Sequence, residues 1–233
     1  IEDCRREQAP TRDSRLPRRQ GRSLRLQDSS SSSASGRLAG TGRLRRVGDR
    51  GGADLLSGAR PAEVAQLAVA DVRQEHGHWI MHITTEGEGD KSVKTEGSMR
   101  VIPVHPELIR LGFIKYRDGM QAAGQQRLFP HAVRNARGQM IADFSREFSR
   151  YLTRLGLKNG RGLSLYSFRH GAADALRRAG YLDDQFGFIL GHVSGSMTGR
   201  YGLMPQGMLE QRVELVNAIA YPGLDLSPLY PKP

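Results

Sequence analysis

Two neighbouring stretches decide how this chain folds. The first is Tyr166-Ser167-Phe168-Arg169-His170-Gly171-Ala172-Ala173-Asp174-Ala175-Leu176-Arg177-Arg178-Ala179-Gly180. The second is Asp183-Asp184-Gln185-Phe186-Gly187-Phe188-Ile189-Leu190-Gly191-His192. The pattern predicts a helix from Ser167 to Ala179 ended by Gly180, then a short helix from Asp183 to Leu190 ended by Gly191. Glycine is the residue that enters left-handed backbone at a helix end without a Cβ penalty. Arg169 thus stands at a helix start and His192 just beyond a helix stop, 23 residues later. Tyr201 follows nine residues after His192.

Working upstream, Ala53 to Gly58 reads as the end of a helix. Pro61 sits at a first helical position, with Val64, Leu67, Ala68 and Val72 on one face of the helix that follows. Trp79 to Ile83 reads as a strand and Met99 to Val104 as its partner, joined by a long polar loop that carries Gly87, Gly89, Lys91 and Lys94. Those two glycines loosen a loop; they do not precede a helix and so do not form a phosphate cradle. Helices are predicted from Pro106 to about Tyr116, from Ala142 to Leu155, and downstream from Pro205 to Ile219. The expected fold class is mainly α with a small antiparallel β-sheet (α+β). Residues 1–50 read as a disordered Arg/Ser/Gly-rich arm, with a serine run from Ser29 to Ser33. Residues 51–220 form the expected globular domain, and 221–233 an extended, Pro-rich tail.

The 35 Lys and Arg against 24 Asp and Glu give a net charge of +11. That excess favours a polyanionic partner through counterion release. The arm holds 13 Arg and 6 acids, so most of the excess lies there and the foldable part is only mildly basic. A single cysteine, Cys4, excludes an intramolecular disulfide and a cysteine metal site, which suits a reducing cytoplasm. No apolar run is long enough to span a membrane, and no apolar signal region follows the charged first residues. His76, His78 and His82 have no carboxylate or cysteine partner spaced for a metal.

Taken together, Arg169-His170, Leu190-Gly191-His192 and Tyr201 resemble the tyrosine recombinase (phage integrase) family, whose pattern runs His-x-x-Arg-His, Leu-Gly-His, then a nucleophilic Tyr. Gly58-Ala59-Arg60-Pro61-Ala62-Glu63 is similar to the family's Gly-x-Arg-x-x-Glu box. Lys94, followed by Ser98, Arg100, Pro103, Val104 and His105, is similar to its lysine-bearing hairpin. The resemblance covers about residues 55–226 and implies a tyrosine-recombinase catalytic-domain fold. It also implies double-stranded DNA as partner, a homotetramer on paired DNA sites, no membrane, and a bacterial, cytoplasmic, nucleoid-associated setting. Family members carry an N-terminal helical clamp that residues 1–50 are not expected to supply, so the chain reads as N-terminally truncated.

The implied activity is site-specific recombination through a 3′-phosphotyrosyl intermediate. Arg60 and Arg169 would hold the non-bridging phosphate oxygens by forked, permanently charged hydrogen bonds. Tyr201 would attack phosphorus, Lys94 would protonate the leaving 5′-oxygen, and His192 would hydrogen-bond the phosphate. Tyr116, Tyr221 and Tyr230 lack the spacing of Tyr201 to His192. With cationic side chains supplying the electrostatics, the chemistry calls for no cofactor and no metal. Tyr166 stands where the family has a histidine, and a phenol is a poor base near pH 7. Two alternatives share the pattern: a degenerate, inactive DNA-binding remnant, and type IB topoisomerase-like relaxation. Glu63 is expected to be structural, bonding near Arg60.

Overall fold

The computed structural model describes residues 52–87, 91–93, 98–158, 162–192 and 206–231. The expected arm at residues 1–50 lies outside them. Helix α1 (residues 52–57) stops at Gly58, whose φ is +64°. Helix α2 (Pro61–Ala65) follows with proline in its first turn. The expected continuation to Val72 does not form. Val69 N–H instead donates to Gln126 O and Leu128 N–H to Leu67 O, so residues 67–69 are drawn into an extended bridge with residues 126–128.

After a short 3-10 turn (Val69–Asp71) come β1 (Val72–Glu75), β2 (His78–Ile83) and β3 (Arg100–Pro103), an antiparallel sheet in that order. Strand β1 was not anticipated. His76 and Gly77 both take positive φ and form the two-residue turn that matches strand twist. Val72 faces Met81, and Met81 faces Ile102, giving one fully buried row across all three strands. A one-residue slip would turn that row to solvent, which fixes the register.

The helix expected from Pro106 to Tyr116 is two helices, α3 (Pro106–Arg110) and α4 (Phe113–Ala122). Gly112 breaks them at φ +89°, and a Cβ there would lie 2.8 Å from Pro231 Cγ. Helix α5 (Ala142–Arg154) packs Phe148 and Leu152 on Leu165 and Phe168 as a separate small cluster. Helices α6 (Tyr166–Arg178) and α7 (Asp183–Leu190) fall where the sequence put them, and α8 (Gln206–Asn217) completes the set. The main core joins Ala172 and Leu176 of α6, Phe186, Ile189 and Leu190 of α7, the sheet row, and Leu215 and Val216 of α8. The mainly α fold with one small antiparallel sheet is as expected.

The segment after α8 departs from the expected extended tail. Leu226 packs against the core, Ser227–Leu229 forms a 3-10 turn, and Tyr230 donates to Glu107 Oε2 at 2.6 Å. Tyr221 donates to Leu55 O at 2.8 Å. These contacts anchor the segment to α1 and α3.

Candidate active site

Helix α7 ends in a Schellman turn. His192 N–H donates to Gly187 O at 2.8 Å and Gly191 N–H to Phe188 O at 3.2 Å, with Gly191 left-handed at φ +69°. This turn places His192 at the C-terminal end of α7, where unpaired carbonyls carry partial negative charge. Two guanidinium groups meet those carbonyls. Arg60 Nη2 donates to Gly191 O at 2.9 Å, and Arg100 Nε donates to Ile189 O at 2.7 Å.

Glu63 lies between the same two arginines. Its Oε1 accepts from Arg60 Nη1 at 2.7 Å and from Arg100 Nη1 at 3.2 Å. Its Oε2 accepts from the Arg60 backbone N–H and from Arg100 Nη2, both at 2.8 Å. Burial alone would raise this carboxyl. The Arg100 charge and the hydrogen bonds from Arg100 and Arg60 outweigh that and hold it below its ordinary value. Glu63 is thus structural, as read from the sequence.

Arg169 lies one turn into α6, 7% exposed, and its Nη1 donates to Gly58 O at 2.8 Å. Among the described residues it forms no ion pair. Burial, then the Arg60 and Arg100 charges, pull its pKa down to about 10, so it stays charged at neutral pH. Burial, then Arg169 and Arg60, push the His192 imidazole below its ordinary value, which keeps it neutral near pH 7. The structure therefore gathers Arg60, Arg100, Arg169 and His192 near one another, with Glu63 bonded to Arg60 and Arg100 and Asp183 close enough to act on His192. Among the described residues, three permanent cations face Glu63 and, at the edge beside His192, Asp183, which leaves positive charge in excess, an arrangement suited to an anion.

Tyr166, the first residue of α6, is 46% exposed and near enough to influence the Arg169 charge. It lines an open groove with Gln66, Ser92 and Arg134. Lys94 and Tyr201 lie outside the described residues. The base of the lysine-bearing loop is described: Gln66 Nε2 donates to Ser92 O at 2.6 Å, and Ser92 N–H donates to Gln66 Oε1 at 2.9 Å. Arg100 was missed as a site residue. Its signal was strand parity, since Arg100 shares the inward face of Ile102 and an arginine there requires a buried carboxylate.

The model of the Phage integrase family matches residues 54–203. The chain belongs to the phage integrase family. The matched span contains Arg60, Lys94, Arg100, Tyr166, Arg169, His192 and Tyr201. Comparisons with curated proteins and with solved structures returned no match. Membership gives this integrase-family chain the tyrosine-recombinase catalytic-domain fold and places it among DNA-binding proteins of site-specific recombinase type. Among the described residues of the integrase domain, no helix is long and apolar enough to cross a membrane.

Proposed function

We propose that this chain cuts and rejoins DNA at specific sites through a covalent link to Tyr201, working as a tetramer on paired duplex sites. The Tyr201 phenol oxygen attacks the scissile phosphorus and loses its proton. The bond to the 5′-oxygen breaks, and Lys94 delivers a proton to that oxygen. Arg60 and Arg169 bind the non-bridging oxygens, whose charge grows in the transition state. A neutral His192 adds a hydrogen bond to the same phosphate. Attack by a 5′-hydroxyl reverses the step and reseals a strand without an external energy source.

The observation that supports this reading is the cluster of three guanidinium groups and one imidazole, in which Glu63 balances only part of the positive charge. A DNA duplex nicked beside the cleavage site traps the intermediate. A covalent protein–DNA adduct that disappears in Tyr201→Phe supports the proposal. Tyr166 favours a second reading, an integrase-derived chain that binds DNA and no longer cuts it. Salt-dependent binding without adduct on any such duplex would establish that second reading instead.

A further inference from the structure

Arg100 differs from the other cations of the cluster. Its side chain is 3% exposed, and among the described residues its guanidinium donates to Ile189 O, Ser98 O and both oxygens of Glu63. It is therefore out of reach of a phosphate. Room for it exists because residue 191 is glycine; a Cβ there would stand 2.6 Å from Arg100 Nη1 and 2.8 Å from its Cζ. Arg100 ties β3 to the start of α2 and to the turn that carries His192.

The charge count gives this tie a purpose. Were Glu63 paired with Arg60 alone, the two would form a neutral buried unit. The carboxylate is instead shared, receiving two hydrogen bonds from Arg100 and two from Arg60, one of the latter from its backbone. We propose that Arg100 is a positioning residue: by balancing Glu63 it leaves the Arg60 guanidinium a net cation toward the DNA phosphate, and by holding Ile189 O it fixes the turn that aims His192. The inference rests on the reading of Arg60 as a phosphate ligand.

The test uses the full chain and nicked duplexes carrying either the normal scissile phosphate or a methylphosphonate, which lacks one negative charge. Three variants are compared with the parent: Arg100→Met, Arg100→Met with Glu63→Gln, and Arg60→Ala. Arg100→Met is expected to slow adduct formation by about tenfold to a hundredfold on the normal phosphate. Its deficit relative to the parent should narrow on the methylphosphonate. The double variant, with no unbalanced carboxylate, should recover much of the loss. Equal deficits on both duplexes, with no recovery in the double variant, would mean that Arg100 is only a packing element and would overturn the proposal. Should Arg100→Met fail to fold, the double variant decides alone. Cleavage close to the parent's supports the charge-balancing role, and an unchanging deep deficit on both duplexes rejects it. Arg60→Ala reports separately: if its deficit does not narrow on the methylphosphonate, the phosphate reading of Arg60 fails, whatever Arg100 does.

Discussion

Lys91 Nζ lies 2.8 Å from Asp71 Oδ2, in a pair whose side chains are only 5% and 9% exposed. The same ammonium also donates to Glu86 O at 2.9 Å. Of the two lysines in the hairpin loop, Lys91 is thus committed to holding the loop base against the 3-10 turn before β1. Lys91→Met should lower the melting temperature, because it leaves Asp71 buried without its partner, while single-turnover cleavage by the folded fraction stays within a few-fold. Lys94→Ala should slow cleavage severely, and a duplex with sulfur as the 5′ leaving atom, which needs little proton help, should restore it. Restoration by sulfur in Lys91→Met and not in Lys94→Ala would reverse the assignment.

Gly58 holds the joint between α1 and the Arg60 segment. A Cβ there would stand 2.4 Å from Leu190 Cδ2 and 3.2 Å from Ala172 Cβ, on backbone with φ +64°. Both neighbours are fully buried, so neither has room to retreat. Gly58→Ala should destabilise the fold by at least about 1–3 kcal/mol, from overpacking with left-handed strain added. Urea unfolding measures it directly, and a change below a few tenths would contradict the close approach.

Tyr166 occupies the exposed start of α6, beside Arg169. Histidine fits that exposed position without repacking and titrates near neutral pH. Tyr166→His should keep or raise the cleavage rate, read as adduct formed per minute on a nicked duplex. Loss of all cleavage would assign the phenol a task that imidazole cannot perform.

The parts of the fold legible from sequence were those set by local signals. The stops at Gly58, Gly180 and Gly191, and helices α6 and α7 that end at the last two, needed only glycine and a periodic apolar face. What escaped was set by distant partners. Helix α2 is short because residues 67–69 bond to residues 126–128, and the α3–α4 break at Gly112 accommodates Pro231. In the site, Arg60, Arg169 and His192 were marked by their motifs. Arg100 was not, because its importance comes from Glu63, 37 residues away. Lys94 and Tyr201 remain expectations from the motif.

His105 caps α3 in its neutral form. Its Nδ1 accepts from Glu107 N–H at 3.0 Å, which leaves Nε2–H to donate to Ile219 O at 3.1 Å. Burial is the main reason its pKa lies below the ordinary value of 6.5, although the Ile219 bond and Glu107 oppose it. The unfolded chain therefore binds a proton more readily than the folded one. The stability it contributes is full above about pH 6.5 and is lost as pH falls through the lower folded value. His105→Asn keeps a good capping side chain and should flatten part of the fall in melting temperature between about pH 7 and pH 5. An unchanged slope would show that His105 does not titrate with unfolding.

Arg169 is a desolvated cation with one hydrogen bond among the described residues, repelled by Arg60 and Arg100. Arg169→Met removes that cost and keeps the volume. The melting temperature should hold or rise while cleavage falls by about a hundredfold or more. A large drop in melting temperature would show instead that its bond to Gly58 O holds the fold together.

Arg60 and the carbonyl of Gly191 that it holds are 131 positions apart in the chain. Neither the cationic cluster nor the aim of His192 exists in any shorter stretch of the polypeptide. Contacts of such long range close late in folding, after the loop between them has been ordered. A nascent chain emerging from the ribosome carries its arginines long before they act together. The field that would draw in a phosphate is complete only when α7 has docked against the Arg60 segment.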